Sequence, residues 1–397
     1  MSVLRINFWK VVQFVSLSTP LAGFIVASGA LATFVNAQAR IERAVVEGSK
    51  DQWYVEGANR AGDARMAEFL GRPALWLRNS TQVMQSDVEF IDGTIEFDLA
   101  PMDQGNFVGI IFRRASFGDH ENIYLRLHRS GLFNAVQYAP RMNFSPTWQL
   151  YPEFNAVANF PKNQWTHVRV EVRAAGMEIY VDNKTTPVLA VPRLRGTTDK
   201  GAVSFWGRVN DKPTEWAAAI SNISIRPATP ATTERPPRPA APAGTITSWE
   251  LGGPLKAESG SVDRIPEIKE WITAVAEESG LVNINRSLKR AAGRSTAFAR
   301  TSLNAAAAHS VRLEIGYSDD VTVFLNGEAI YSGTNGFESR HPEYLGFARL
   351  GNESVFLKLR PGSNDLVLAV TDDQRFGWGF IARLQNSTAL SSLRVLR

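Results

Sequence analysis

Two neighbouring stretches set the hydrophobic and polar rhythm of this chain. In DGTIEFDLAP (92–101), Ile95, Phe97 and Leu99 alternate with Thr94, Glu96 and Asp98. In GNFVGIIFRR (105–114), Val108, Ile110 and Phe112 alternate with Gly109, Ile111 and Arg113. Period two built from β-branched and aromatic residues predicts strands with one face on a core. The short connection between them predicts an antiparallel pair whose open face carries acids and an arginine. The rhythm continues through ALWLR (74–78), ENIYLRLHR (121–129), LFNAVQYAP (132–140), HVRVEVR (167–173), MEIYVDNK (177–184), AVSFWGR (202–208) and AISNISIRP (219–227). Val168, Val170 and Val172 face inward, as do Met177, Ile179 and Val181 before a turn at Asp182-Asn183. Short strands punctuated by Gly, Pro, Asn and Asp predict an antiparallel sandwich.

Residues 226–244 break the rhythm. Six of the chain's 20 prolines fall there, from Pro227 to Pro242. Such a stretch tends to extended polyproline II and acts as a semi-rigid spacer. It divides the chain into units at 40–226 and 246–397, with 227–245 as the linker. In the second unit, residues 266–280 place Ile268, Trp271, Ile272 and Val275 on one stripe between Pro266 and Gly280, which predicts one short helix. Strands dominate afterwards. DVTVFLNGEAIYSG (320–333) is a hairpin signal whose Asn326-Gly327 suits a type I′ turn. VFLKLRPGSNDLVLAV (355–370) predicts another, turning at residues 361–364. The fold class is therefore all-β: two antiparallel jelly-roll sandwiches joined by a proline-rich linker, with a short helix in the second.

Length and composition support two folded units: 397 residues, 44% of them hydrophobic. Of 43 Lys and Arg against 39 Asp and Glu, only Arg5 and Lys10 lie in the first 37 residues, which hold no acid. The remainder is nearly neutral and well mixed in charge, which argues against a nucleic-acid partner. The densest basic stretch, Arg286, Lys289, Arg290 and Arg294, is short and reads as a solvated edge. The chain has no cysteine, so disulfides, zinc thiolates and cysteine nucleophiles are excluded. Its five histidines lack metal-ligand spacing. A positive start followed by an uncharged run at 21–35 and small residues around Ala37 predicts a signal peptide over 1–37. Left uncleaved, residues 11–37 would instead anchor the chain in a membrane. Both readings place the rest outside the cytoplasm, in the periplasm or secreted.

Alternation places Glu96, Asp98, Arg113, Tyr124, Arg126, His128 and Tyr138 on one polar face. Trp148, on a loop with Tyr151, is a cover for it, and Trp206 falls on the outward side of its own strand. Acceptors, forked donors and aromatic rings together suit a sugar, whose hydroxyls need hydrogen bonds and whose C–H faces stack. The plain alternative is the solvated side of an ordinary sheet. Glu96 and Asp98 stand about 6.6 Å apart along a strand, within the spacing of glycosidase carboxylates. Glu171 or Glu178 could supply a further acid. Asp92, Asp319 and Asp320 leave room for a structural calcium and no other cofactor is expected. No nucleophile elbow, P-loop or dinucleotide fingerprint occurs.

The order DGTIEFDLAP, GNFVGIIFRR, NQWTHVRVEVR with MEIYVDNK, then GAVSFWGR and AAISNISI resembles concanavalin A-like sandwiches, above all their laminin G-like and 3-keto-disaccharide-hydrolase-type branch, over about residues 70–227. Residues 281–385, with GYSDDVTVFLNGEAIYSG, LKLRPGSNDLVLAV and FGWGFIARL, resemble galactose-binding-domain-like jelly rolls. The resemblance implies a ligand surface on the concave sheet of the first unit and a binding or packing role for the second. Laminarinase-like members carry a second glutamate after E-x-D; here Leu99, Ala100 and Pro101 follow. The expectation is an exported carbohydrate-binding protein contacting a glycan through Arg113, Tyr124, Arg126, His128, Tyr138 and Trp148. The alternative is a glycoside hydrolase using Glu96 and Asp98.

Overall fold

The computed structural model describes residues 42–50, 52–86, 88–229, 239–256, 262–385 and 390–394. The expected leader at 1–37 and residues 230–238 of the proline-rich stretch lie outside them. Every paired strand is antiparallel to its neighbour and, among the described residues, the helices are short 3-10 turns. The first sandwich stacks two sheets. The front sheet has eight strands, with Trp53–Glu56, Val83–Gln85, Ala202–Arg208, Phe107–Arg114, Glu121–Arg126 and Val136–Tyr138 in that spatial order at its centre. The back sheet has seven, with Gly176–Val181, Thr166–Arg173, Asp92–Pro101, Ala218–Ala228 and Arg72–Leu77 running across it. Between the sheets, Ile95, Phe97 and Leu99 meet Val108, Ile110 and Phe112, all fully buried. The rings of Phe97 and Phe205 meet edge-on at 5.2 Å.

That arrangement corrects the expected pairing of the two opening strands. Asp92–Pro101 pairs with Thr166–Arg173 and Ala218–Ala228, whereas Phe107–Arg114 pairs with Glu121–Arg126 and Ala202–Arg208. The connection after Pro101 carries the chain from the back sheet to the front one. Both strands turn apolar residues to the same core, so their outward residues point to opposite sides of the sandwich.

The second sandwich stacks Ser248–Lys256, Ser295–Ala305, Gly362–Asp372, Asp320–Leu325 and Glu328–Thr334 against Leu281–Asn283, Gly379–Gln385, His309–Ser318 and Glu353–Leu359. Trp249 and Phe380 meet edge-on at 4.9 Å between them. The hairpin at Asn326-Gly327 forms, with both residues at positive φ. The second expected hairpin does not. Glu353–Leu359 pairs only with His309–Ser318, and Gly362–Asp372 with Ser295–Ala305 and Asp320–Leu325. The expected helix over 266–280 is absent as well. Trp271–Val275 is an edge strand on Ser248–Lys256. Its intended apolar stripe is broken, because Ile272 is 39% and Val275 65% exposed. β-branched Ile272, Thr273 and Val275 satisfy an otherwise open sheet edge, while Ile268 and Trp271 pack on Phe298, Phe324 and Val367. Among the described residues, the helix of this sandwich is the 3-10 turn Ile284–Arg286.

The proline-rich stretch was expected to hold two units apart. The strand Ala218–Ala228 runs through Pro227, and residues 41–397 form one compact unit. Leu281, Ala348 and Ile381 of the second sandwich belong to the core cluster of the first. Tyr151 donates to Glu277 at 2.9 Å and accepts from Asn283 at 2.9 Å across the junction. Gln149 donates to the Leu345 carbonyl at 3.0 Å and accepts from Ser318 at 2.7 Å.

Candidate functional site: an aromatic row on the front sheet

Four front-sheet strands present their outward residues in register. Trp206 lies opposite Gly109, Gly109 opposite Tyr124, and Tyr124 opposite Gln137. Glycine is required at 109 because a Cβ there would come 1.9 Å from the indole nitrogen of Trp206. The indole therefore lies flat over the strand, and its N–H donates to Asn122 Oδ1 at 3.2 Å. Tyr124 meets Trp206 edge-on at 5.8 Å. Phe107 continues the row, 6.5 Å from Trp206 and 4.8 Å from the His128 ring. The Arg126 guanidinium stands 5.5 Å from the Tyr124 ring and 5.8 Å from that of Trp148. Rings and a guanidinium thus run unbroken from His128 to Trp148. Trp206, Tyr124, Phe107 and Trp148 each keep part of their surface in solvent.

Arg126 is buried. It donates to the Asn134 carbonyl at 3.2 Å and to Gln137 Oε1. Gln137 in turn donates to the Trp148 carbonyl at 2.8 Å, which ties the row to the loop. Burial lowers the Arg126 pKa to about 10, Tyr124 opposes the shift, and Arg129 adds to it. Burial raises the Tyr124 phenol above its usual value, against the pull of Arg141 and Arg126. His128 sits in the 3-10 turn Leu127–Arg129, not on the expected strand, which ends at Arg126. Its Nδ1 donates to the Asn106 carbonyl at 2.8 Å. Burial lowers its pKa, the Asn106 bond raises it, and Arg126 and Arg129 lower it further.

Trp148 does not hang over the sheet as a free cover. Its ring is held at 5.8, 5.9 and 5.3 Å from Phe337, Phe347 and Phe376 of the second sandwich. Its loop partner Tyr151 is fully buried.

Two expected binding residues lie elsewhere. Tyr138 is inside the sandwich, because the short strand Val136–Tyr138 pairs Gln137, and not Tyr138, with Tyr124. Its hydroxyl donates to Glu121 Oε2 at 2.6 Å. Burial raises the Glu121 pKa to about 6 even though Tyr138, Arg113 and the Gly196 N–H oppose it. Arg113 adopts positive φ where the register shifts at Ala202/Ser204, so its side chain swings to the sandwich edge. There it pairs with Asp92 at 2.9 Å and donates to the Ile91 and Ala174 carbonyls.

Glu96 and Asp98 lie on the outer face of the back sheet, on the far side of the core from the aromatic row. Asp98 accepts from Arg72 and Asn222 at 2.7 Å each and shares a 2.9 Å contact with His167 Nδ1. Burial raises its pKa, but the bonds of His167 and Asn222 and the charges of His167 and Arg72 outweigh it and hold the carboxyl below its usual range. Glu96 pairs with Arg226 and lies 4.0 Å from His167 Nε2. Glu171 pairs with Arg169 and Arg173, and Glu178 accepts from Tyr180. Among the calcium candidates, Asp92 is taken by Arg113 and Asp320 by Arg294, while Asp319 accepts from the backbone N–H groups of Asp373 and Gln374. Among the described residues, no group of three or more acids or histidines stands at metal-binding spacing.

Sequence reasoning missed Phe107, Gln137 and the part played by Gly109. The signal for Gly109 was available, since glycine inside a strand marks a close approach from above.

No family model matches the chain, and no curated protein matches it in sequence. Solved structures that resemble it include the carbohydrate binding module CBM66 from Bacillus subtilis (14% identity, 44% of this chain and 94% of that chain, TM-score 0.32). Others are a Bacillus licheniformis beta-glucanase (12%, 47% and 92%, 0.31) and the exoplasmic/lumenal domain of VIP36 in a Ca2+/Man3GlcNAc-bound form (10%, 48% and 90%, 0.33). Its structural neighbours thus include carbohydrate-binding modules, lectins and glycoside hydrolases, at scores that leave the function to the chemistry of the site.

Proposed function

We propose that this chain is an exported carbohydrate-binding protein and that the aromatic row of the front sheet is its glycan surface. The observation that carries the reading is the continuity of part-exposed Phe107, Trp206, Tyr124 and Trp148 beside a buried guanidinium. Flat rings stack on the C–H faces of a sugar, and a forked donor at their edge meets its oxygens. The second sandwich assists by walling Trp148 with three phenylalanines, so the two sandwiches act as domains of one binding unit. Hydrolysis through Glu96 and Asp98 is not part of this reading, because both carboxylates are ion-paired and face away from the row.

A glycan array probed with the full chain, followed by calorimetry on the ligands found, tests it. Trp206→Ala should weaken binding by roughly thirtyfold, about 2 kcal/mol, as for a central aromatic anchor. Unchanged affinity in a folded variant would sink the proposal. Export is tested separately by sequencing the N-terminus of the protein recovered outside the cytoplasm; an intact Met1 on cytoplasmic protein would contradict it.

A further inference from the structure

Among the described residues, four arginines of the first sandwich are buried, and three of them have a carboxylate. Arg113 pairs with Asp92 at 2.9 Å, Arg114 with Glu56 at 2.6 Å, and Arg195 with Glu278 and, at 3.7 Å, Glu277. Arg126, only 8% exposed, is the exception. Its two hydrogen bonds go to neutral acceptors, a carbonyl and an amide oxygen, out of five N–H donors available. The neighbouring cations add to the charge. Arg129 donates to Asn134 Oδ1 at 3.3 Å; Arg141 donates to the Phe144 carbonyl at 3.3 Å and lies over the Phe117 ring. Among the described residues, none of these three guanidinium groups has a carboxylate partner. A buried unneutralised charge is costly unless something pairs with it, and this one lies within the aromatic row.

We propose that the glycan bound here is acidic: an anionic substituent, carboxylate or sulfate, seats on the free edge of Arg126 while the sugar ring stacks on Trp206 and Tyr124. This rests on the glycan reading above and gives it a ligand class. The positive surroundings of Arg126 exclude a second cation and favour an anion over a hydroxyl, because charge-assisted bonds are about twice as strong as neutral ones.

Calorimetry with the full chain decides it, using three probes: short oligogalacturonates, the same oligomers with their carboxyls reduced to neutral galactose, and sulfated galactose oligomers. At low salt, at least one anionic probe should bind about tenfold or more tighter than the neutral one, and the advantage should shrink as sodium chloride is added. Whichever anion wins identifies the substituent. Arg126→Gln should abolish the preference while leaving residual stacking affinity. Should that variant fail to fold, Arg126→Lys, which keeps the charge but loses the fork, should cut the preference several-fold. Neutral oligomers binding as well as anionic ones would overturn the acidic ligand and leave the glycan reading intact. An anion preference unchanged in both Arg126 variants would overturn it too. Absence of binding to every probe and to a broad glycan array would remove both.

Discussion

A missing side chain and a buried carboxyl show how single residues act here. Gly109 lets the Trp206 indole lie across its strand, so Gly109→Ala should push the ring away, break its bond to Asn122 and cost about 1–3 kcal/mol, as overpacking does. Thermal unfolding and glycan affinity should fall together. Glu121 sits in a different regime. Burial raises its pKa from 4.5 to about 6 in the folded protein. A raised folded pKa means the folded state binds the proton more tightly. Its favourable contribution is thus complete below about pH 4.5 and is lost as pH rises through about 6. The loss is of order 2 kcal/mol at one pH unit per 1.4 kcal/mol. Burial also raises Asp319 and Asp372, which act in the same direction. Glu121→Gln should therefore flatten only its own share: the stability difference between parent and variant should change between pH 4.5 and 6.5 and stay level above. A difference that is constant with pH would refute the assignment. Which residues carry such effects was only partly legible beforehand. Tyr124 and Arg126 could be read from alternation and Trp148 from its aromatic ring, whereas no local pattern singled out Glu121, and His128 left the strand that alternation assigned to it.

Alternation in an element tells which side meets the core and says nothing about which strand lies alongside. Two connections read as hairpins, after Pro101 and around residues 361–364, instead link strands of opposite sheets. The local pattern is the same in both cases, because a hairpin and a crossover each turn their apolar residues to one core. The consequence is functional: Glu96 and Asp98 were grouped with Tyr124, and the fold puts a whole sandwich between them. The variant Glu96→Gln/Asp98→Asn should consequently leave glycan affinity within about twofold. It should lower stability by about 1–2 kcal/mol through lost contacts to Arg72, Arg226 and His167. Because Asp98 is held below its usual range, its stabilisation is present above about pH 4 and disappears as pH falls through its folded pKa. The helix expected at 266–280 failed for a related reason. A periodic stripe is a weak preference, and an open strand edge with β-branched residues to fill it outweighed the stripe.

At the scale of the whole molecule, the two sandwiches are held by a junction that combines apolar contacts with buried polar bonds. Leu281, Ala348 and Ile381 complete the first core, and Tyr151 bridges to Glu277 and Asn283. Tyr151→Phe leaves two buried polar partners without their hydroxyl and should cost about 1–3 kcal/mol, read as a shift in the denaturant midpoint. Cutting the chain after residue 229 should yield a first sandwich that melts below the full chain, since Trp148 loses its three phenylalanine neighbours. Equal melting temperatures would show the junction to be dispensable. The proline-rich stretch invited the picture of separated units, since its composition forbids a core of its own; composition is silent on whether the flanking surfaces fit each other. From the sequence alone follow the all-β class, the inward faces of most strands and the Asn326-Gly327 turn, because these depend on residues a few positions apart. Strand neighbours, the joined cores, the burial of Arg126 beside neutral acceptors and the row from His128 to Trp148 depend on residues far apart in the chain, and only tertiary packing brought them together.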